Sequence, residues 1–215
     1  MLSQTEENYL KALFHLTSEK SEVGTNELAA TLNVKPATVN DMLKRLKEKK
    51  LINYEKYGKI SLITLGRKQA LEVIRKHRLW ETFLYEKLEF TWDEVHEVAE
   101  QLEHIHSPKL IEKLDKFLNF PEVDPHGDAI PNSKGELKVQ VRKTLAQVAV
   151  GKTCKIIAVK DNSASFLQYV VKVGLGLSSK IKVISRQEFD EITEIEVNGK
   201  KSIVSKKFTE NIFIA

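Results

Sequence analysis

The run GTNELAATLNVKPATVNDMLKRLKEKKLINYEKYGKISLITL, residues 24–65, constrains the fold more tightly than any other stretch. Thr25 is placed to cap a short helix running to about Leu32, and Asn33-Val34-Lys35 makes a tight turn. Pro36 then stands at a helix start, where its missing N–H costs nothing. On this second helix Val39, Met42, Leu43 and Leu46 share one face, while Ala37, Asn40, Asp41, Lys44 and Glu48 share the other. Two short helices around a small turn, the second divided in this way, form a helix-turn-helix. Two alternating strands around Tyr57-Gly58 follow as a hairpin, which completes a winged helix.

A winged helix presents the start of its second helix to the major groove. Lys35, Thr38 and Asn40, with Pro36 and Ala37 at the helix start, are the residues suited to phosphate and base contacts. Lys44 and Arg45 can reach the backbone, and Asp41 can accept from a cytosine amino group. Lys56 and Lys59 flank Gly58 on the wing. Winged helices also serve as protein-binding modules, so the fold alone leaves two partners open. The net charge of +4 permits nucleic-acid binding without arguing for it.

Ahead of this module, TEENYLKALFHLT reads as a helix with Tyr9, Leu10, Leu13, Phe14 and Leu16 on its apolar face. Behind it a long helix spans Leu65 to about Lys87, and a capping box, Thr91 to Glu94, opens a further helix over 93–105. SPKLIEKLDKFL starts another, with Ser107 as cap and Pro108 in the first turn. Helical character ends in the Pro-, Gly- and Asp-rich stretch 120–136. Beyond about Leu145 four strand-like runs surround one short helix at SASFLQYVVKVG, and Asn198-Gly199 is a strong hairpin turn. This end reads as a separate, small β-barrel-like domain.

The helix over 93–105 places His96, Glu100, Glu103 and His104 on one stripe, opposite the apolar Val95, Val98, Ala99, Leu102 and Ile105. The plain reading of such a stripe is a solvated face. No Lys or Arg occurs between Trp92 and His106, however, so the helix-pair partners of a solvated face are missing. The long helix before it holds His77 and Glu81, again four apart. Imidazole and carboxylate together suit Mn²⁺, Fe²⁺, Co²⁺ or Zn²⁺, and without thiolates a structural zinc site is disfavoured. His106 turns toward the apolar side as a packed histidine, and His15 and His126 read as isolated.

Other classes find little support. No apolar run approaches the ~20 residues needed to span a bilayer, and the N-terminus lacks the pattern of a signal peptide. One cysteine, Cys154, in the apolar-leaning run TCKIIAV, excludes an internal disulfide, fits a cytoplasmic protein and reads as a small buried hydrophobe. There is no nucleophile elbow, P-loop or dinucleotide turn, and HEVAE lacks the spacing of a zinc protease. The expectation is a protein that is not an enzyme; a di-metal carboxylate enzyme would need an open coordination position and a substrate pocket.

Taken together, TEENYLKALFHL, the helix-turn-helix, RKHRLWETFL, VHEVAEQLEHIHS and DPHGDAIP resemble the family of metal-dependent repressors that includes the diphtheria toxin repressor, the iron-dependent regulators and the manganese transport regulator. The resemblance covers essentially the whole chain. It implies a mainly α fold with β: a winged-helix DNA-binding domain over 1–64, a helical metal-binding and dimerisation domain over 65–140, and an SH3-like (FeoA-type) small β-barrel over 141–215. It further implies a homodimer on double-stranded operator DNA, with Mn²⁺ or Fe²⁺ as corepressor and no membrane partner. By resemblance His77, Glu81 and His96 form an ancillary metal site, and Glu100, Glu103 and His104, completed by Asn8, form the primary one. Glu100 stands where iron-type members place cysteine, and His96 follows the iron type. Lys11 stands where the manganese regulator has a carboxylate, and Asn8 replaces a Met or Asp. This all oxygen and nitrogen set tolerates Mn²⁺ well and also accepts Fe²⁺, with geometry rather than raw affinity selecting between them; the expectation leans slightly toward Mn²⁺. Asp161 and Asn162 are the nearest third-domain candidates. Without metal, the carboxylates of the primary site are expected to repel one another and loosen the junction with the first helix. A winged-helix regulator that ignores metal is the alternative.

Overall fold

The computed structural model describes residues 2–19, 23–54, 59–138 and 142–215. The chain divides into two compact units, and the boundary falls inside one long helix, between His77 and Arg78. The first unit comprises Met1–His77, Gln101–Pro108 and Pro131–Leu137. Arg78–Glu100, Lys109–Ile130 and Lys138–Ala215 make the second.

The first unit opens with α1 (Gln4–Glu19), α2 (Thr25–Thr31) and α3 (Pro36–Glu48), followed by β1 (Ile52–Tyr54), β2 (Ile60–Leu62) and the start of α4 (Thr64–Leu88). Ser3 and Glu6 cap α1 reciprocally, each side chain accepting from the other's backbone N–H at 3.3 and 2.9 Å. The apolar faces expected for α1 and α3 meet in one core: Tyr9, Leu10, Leu13 and Phe14 pack with Leu28, Val39, Leu43, Leu46 and Ile60. Asn33 turns the chain with φ of 52°, and Pro36 is at the first turn of α3. The cap of α2 differs from expectation. Gly24 is the extended capping residue and Thr25 already helical, with no side-chain cap bond. The strands β1 and β2 pair antiparallel, Ile52 opposite Leu62 and Tyr54 opposite Ile60, and Val23 adds a bridge to Ile60. The Tyr57-Gly58 turn lies outside the described residues.

The second unit contains most of α5 (Val95–Leu102) and of α6 (Pro108–Phe117), then β3 (Lys143–Thr144), β4 (Thr153–Val159), α7 (Ala164–Lys172), β5 (Lys180–Gln187), β6 (Ile192–Val197), β7 (Lys200–Ser205), α8 (Lys206–Glu210) and β8 (Ile212–Ile214). Its six strands form one antiparallel sheet in the order β3-β8-β4-β5-β6-β7. Alternation along β4 and β5 sends Cys154, Ile156, Ile181 and Val183 into a core shared with Leu167, Val170, Ile195 and Phe208. Cys154 is buried, as expected, and burial raises its thiol pKa. Asn198 and Gly199 take φ of 50° and 78°, the left-handed pair that a two-residue hairpin requires. The helix expected over 93–105 is shorter. Thr91 to Glu94 form a turn closed by Glu94 on the Thr91 N–H at 2.8 Å, and α5 ends at Leu102.

Gly66, in the first turn of α4, tests this packing. A Cβ there would lie 1.9 Å from the Leu51 carbonyl oxygen. Helix propensity alone would favour Ala by about 1 kcal/mol. Gly66→Ala should nevertheless destabilise the protein, by roughly 1–3 kcal/mol or more, read as a lower denaturant midpoint. A raised midpoint would refute this close approach.

Candidate functional site

Two groups of ligand-type side chains emerge, one in each unit. In the first unit, Glu103 and His104 lie just beyond the end of α5, so they do not continue the stripe of one helix. Nor is Glu103 solvated: its side chain has no exposed surface. The Lys11 ammonium, from α1, reaches both of its oxygens at 2.8 Å, and His77 Nδ1, from α4, donates to Oε2 at 2.6 Å. Burial acts to raise the Glu103 pKa, but the His77 hydrogen bond and the Lys11 charge outweigh it and hold the carboxyl below its usual range.

Beside it, Glu7 of α1 is also buried. His104 Nδ1 donates to Glu7 Oε2 at 2.6 Å, Lys76 lies 3.5 Å from Oε1, and His106 lies 3.9 Å away. The expected crowding of uncompensated carboxylates is therefore not found: Lys11, Lys76 and the histidines already face these two. Each Nδ1–H engaged on a carboxylate puts that ring's lone pair on Nε2, the tautomer a metal ligand needs. His104 Nε2 lies 3.7 Å from Glu103 Oε1. The Asn8 carbonyl oxygen is buried with no hydrogen-bond partner, a cost that a cation or an ordered water would relieve. His106 is exposed rather than packed in the core, because α5 has ended before it and no apolar face continues through it.

In the second unit Glu81, from α4, Asp124 and His126 are all buried, with one donor atom of each within 4.8 Å of the others. His96, on α5, sets Nδ1 3.1 Å from Glu81 Oε1, and its Nε2 lies 3.6 Å from Glu100. His126 is not isolated. Its Nε2 donates to the Trp92 carbonyl at 3.0 Å while the rings of Trp92 and His126 stack 5.8 Å apart. Its Nδ1 lies 3.6 Å from Glu81 Oε1, beyond hydrogen-bonding distance, and has no other partner. The loop is held rigid: Asp124 Oδ1 accepts the N–H of His126 and of Asp128 at 2.8 and 2.9 Å. Arg142 donates to the Gly127 carbonyl at 2.6 Å. Gly127, at φ of 85°, leaves no room for a Cβ, which would fall 2.1 Å from the Ile157 carbonyl oxygen.

Burial, then the charges of Glu81 and Asp128, push the Asp124 pKa up to about 7, with Arg78 and His126 opposing. For His126 burial acts to lower the pKa, but Glu81 and Asp124 overcome it and raise it. Asn162, one of the two third-domain candidates, lines a hollow with Asp93, His96 and Glu97, and its buried Oδ1 has no hydrogen-bond partner. Asp161 instead accepts from the Ser163 N–H at 2.9 Å. Both groups fit a divalent transition ion in donor chemistry, with oxygen and imidazole nitrogen and no sulfur. Glu7, Asp124 and His126 were missed in the sequence. Only the Asp-Pro-His loop carried a local signal for the latter two; Glu7 gave none.

On α3, Lys35, Pro36, Ala37, Thr38, Asp41 and Lys44 are exposed, as is Lys59 beside β2; Lys56 lies outside the described residues. Lys44 pairs with Asp41 at 3.1 Å. Asn40 is half-buried, and its Oδ1 accepts from the Tyr54 hydroxyl at 2.8 Å. This orients the amide with its NH₂ outward, suited to acceptors on bases or phosphates rather than to a two-bond contact with adenine.

A helix-turn-helix, a buried nitrogen and oxygen donor group in each unit, and a six-stranded sheet domain define a metal-binding transcription factor. Residues 1–60 match the family described as iron dependent repressor, N-terminal DNA binding domain. Residues 64–132 match iron dependent repressor, metal binding and dimerisation domain, and residues 143–215 match the FeoA domain. A solved manganese-dependent transcriptional repressor in complex with manganese is 31% identical, with TM-score 0.85 over 98% of this chain and 99% of that one. The structure of ScaR with bound Cd²⁺ is 32% identical, with TM-score 0.81 over 98% of each chain. The iron-dependent repressor IdeR of Mycobacterium leprae is 33% identical over 60% of this chain and 56% of its own length, so this chain spans little more than half of that relative. The chain belongs to the iron-dependent repressor family, a family of metal-dependent DNA-binding repressors and not of enzymes. No described helix is long and apolar enough to cross a membrane.

Asp124 sets a pH dependence. Its folded pKa, about 7, lies above the roughly 4 of an unfolded chain. Between those values the unfolded state has lost a proton that the folded state keeps, so stability falls as pH rises. His126, also raised, contributes a loss of the same sign. In chelator, Asp124→Asn should gain on wild type by up to roughly 1.4 kcal/mol per pH unit through that window. Parallel stability profiles from chemical denaturation would rule this out.

Proposed function

We propose that this protein is a metal-activated repressor that binds double-stranded operator DNA as a homodimer in the cytoplasm, with Mn²⁺ or Fe²⁺ as corepressor. The observation that carries the reading is the buried Glu81, Asp124 and His126 group, in which His126 Nδ1 has no hydrogen-bond partner. Donors of oxygen and nitrogen alone accept Mn²⁺, Fe²⁺, Co²⁺ and Zn²⁺, and geometry and metal availability rather than raw affinity select among them. His96 joins the Glu81 group at 3.1 Å. Glu103 and His104, with Asn8 and Glu7, are the candidate donors of the first unit; the assignment of Glu100 to them, and of His77 to the Glu81 group, rests on family resemblance.

A bound ion supplies positive charge that several carboxylates can share. The chain's own residues make that charge matter to DNA. Glu7, Asn8 and Lys11 sit on α1, whose Tyr9, Leu10, Leu13 and Phe14 pack in the same core as Val39, Leu43 and Leu46 of α3. A change in how α1 is held at the donor group is therefore felt by the helix that presents Lys35, Thr38 and Lys44. A coupling of roughly 1–3 kcal/mol changes operator affinity about 5–150-fold.

The test is selection of bound genomic fragments by the purified protein with Mn²⁺, with Fe²⁺ under anaerobic conditions, and with chelator. Enrichment of a palindromic site with one metal alone is the expected result. A second reading, metal-independent operator binding, draws on Lys11 and Lys76 already facing Glu103 and Glu7; equal enrichment in chelator would select it. Glu103→Gln keeps the shape but removes the charge that Lys11 and His77 face, so its chelator-state affinity is the baseline, and the increment that metal adds to that baseline, roughly 5–150-fold, should be lost. Full activation of Glu103→Gln would remove Glu103 from the site.

Lys11 makes the two readings quantitative. An ion that takes Glu103 has to share or displace the ammonium. Lys11→Met should lower the melting temperature in chelator, since a buried carboxylate loses its partner at a cost of roughly 3–5 kcal/mol, and should tighten Mn²⁺ binding in calorimetry about tenfold or more, 1.4 kcal/mol for each factor of ten. Weaker Mn²⁺ binding would show that Lys11 supports the site instead.

A further inference from the structure

Positive charge is concentrated where the DNA-binding module is not. Residues 143–215 hold 12 Lys and Arg against 7 Asp and Glu, a net +5, whereas the whole chain carries +4; residues 1–142 are therefore at −1. Much of this charge lies on the solvent side of the sheet. Alternation that buries Cys154, Ile156, Ile181 and Val183 turns Lys155 of β4 and Lys180 and Lys182 of β5 outward, all exposed. In the β4–β5 register Lys155 stands directly opposite Lys180, and Thr153 opposite Lys182. Lys152, just before β4, is exposed as well.

Like charges directly opposite one another on adjacent strands are destabilising. Elsewhere the same domain pairs its charges: Lys201 of β7 lies 3.4 Å from Glu194 of β6, and Lys206 pairs with Glu191. Lys182 faces Glu196 in register, yet among the described residues none of Lys152, Lys155, Lys180 and Lys182 has an ion pair. A lysine cluster with a like-charge pair in register complements a polyanion with closely spaced charges.

We propose that the outer face of β4 and β5, through Lys155, Lys180, Lys182 and Lys152, binds the phosphate backbone of double-stranded DNA without reading its sequence. DNA is the occupant because the chain belongs to a DNA-binding family, so the inference rests on that reading for its ligand. Lysine–phosphate pairing of this kind releases condensed counterions and writes itself into the salt dependence of binding.

The experiment titrates the full chain with a duplex of random sequence in chelator, over a range of salt, for wild type and for Lys155→Ala/Lys180→Ala/Lys182→Ala. The slope of log affinity against log salt should fall by roughly 1 for each lysine removed from the phosphates, up to about 3 for the triple variant. Its affinity at low salt should drop tenfold or more, while the metal-induced increase on a short operator is retained. An unchanged slope overturns the proposal. So does loss of binding to phosphatidylserine vesicles with DNA binding intact, which would make the face a membrane surface. A wild-type chain that binds no DNA with metal or chelator would instead sink the repressor reading itself. As an independent measurement, Lys155→Glu should raise the melting temperature by relieving the opposed pair. A lower value would show that the lysines are structurally satisfied, and would overturn the premise.

Discussion

Glu103 holds the first unit to a single arrangement. A carboxylate with no exposed surface cannot stay ionised unless its lost hydration is replaced. Lys11 of α1 and His77 of α4 replace it, at 2.8 and 2.6 Å. Three segments far apart in the chain are thereby tied at one point: α1, α4 and the short stretch Gln101–Pro108. The apolar core brings these elements close but tolerates small slides between them. A two-oxygen ion pair does not, because its energy depends on direction and distance.

The second unit solves the same problem with a proton. Glu81 and Asp124 are both buried beside His126, and although the Arg78 guanidinium lies 3.5 Å from Asp124, burial and the charges of Glu81 and Asp128 outweigh it. Asp124 therefore keeps its proton up to about pH 7. The two donor groups thus differ in what an arriving cation displaces. In the second unit it is protons, so affinity there must strengthen as pH rises. In the first it is the Lys11 ammonium, which cannot leave and must find other partners or share the carboxylate. Ion uptake at the first group therefore repositions a side chain of α1, while uptake at the second alters protonation inside a loop that Arg142 and the Asp124 turn already hold rigid.

What could be read from the sequence follows how far each signal reaches along the chain. Apolar positions three and four apart marked the helix faces of α1 and α3, because a helix face repeats within a few residues. Asn198-Gly199 marked its hairpin because a left-handed pair of residues is a local demand. The donor groups depend on contacts across the fold, and these were only half visible. His96, Glu100, Glu103 and His104 stand out as a stripe, yet α5 stops at Leu102, so two of the four owe their placement to the turn beyond the helix. The absence of Lys and Arg around that stripe was real in sequence and misleading in space, since Lys11 comes to Glu103 from 92 residues away. Glu7 looked like one more acidic residue in a first helical turn, and His126 like a lone histidine in a loop. His106 was misjudged for the same reason: the helical phase that turned it inward ends before it.

The nucleic-acid face poses a separate question of charge. The exposed side of α3 offers Lys35 and Lys44, but Lys44 already sits 3.1 Å from Asp41, and Asn40 has given its carbonyl oxygen to Tyr54. Tying Asn40 to β1 fixes the donor amide before DNA arrives, which favours discrimination between partners over raw attraction. Attraction to DNA at physiological salt comes chiefly from unpaired cations released from their solvent and counterion atmosphere. A recognition helix whose charge is partly neutralised from within its own face is poorly supplied with that term. Such a helix is best suited to select among sites once the protein is already on the duplex. The affinity that brings it there must then come from dimerisation, from the wing, or from cations elsewhere in the chain, and the excess of +5 lies in residues 143–215.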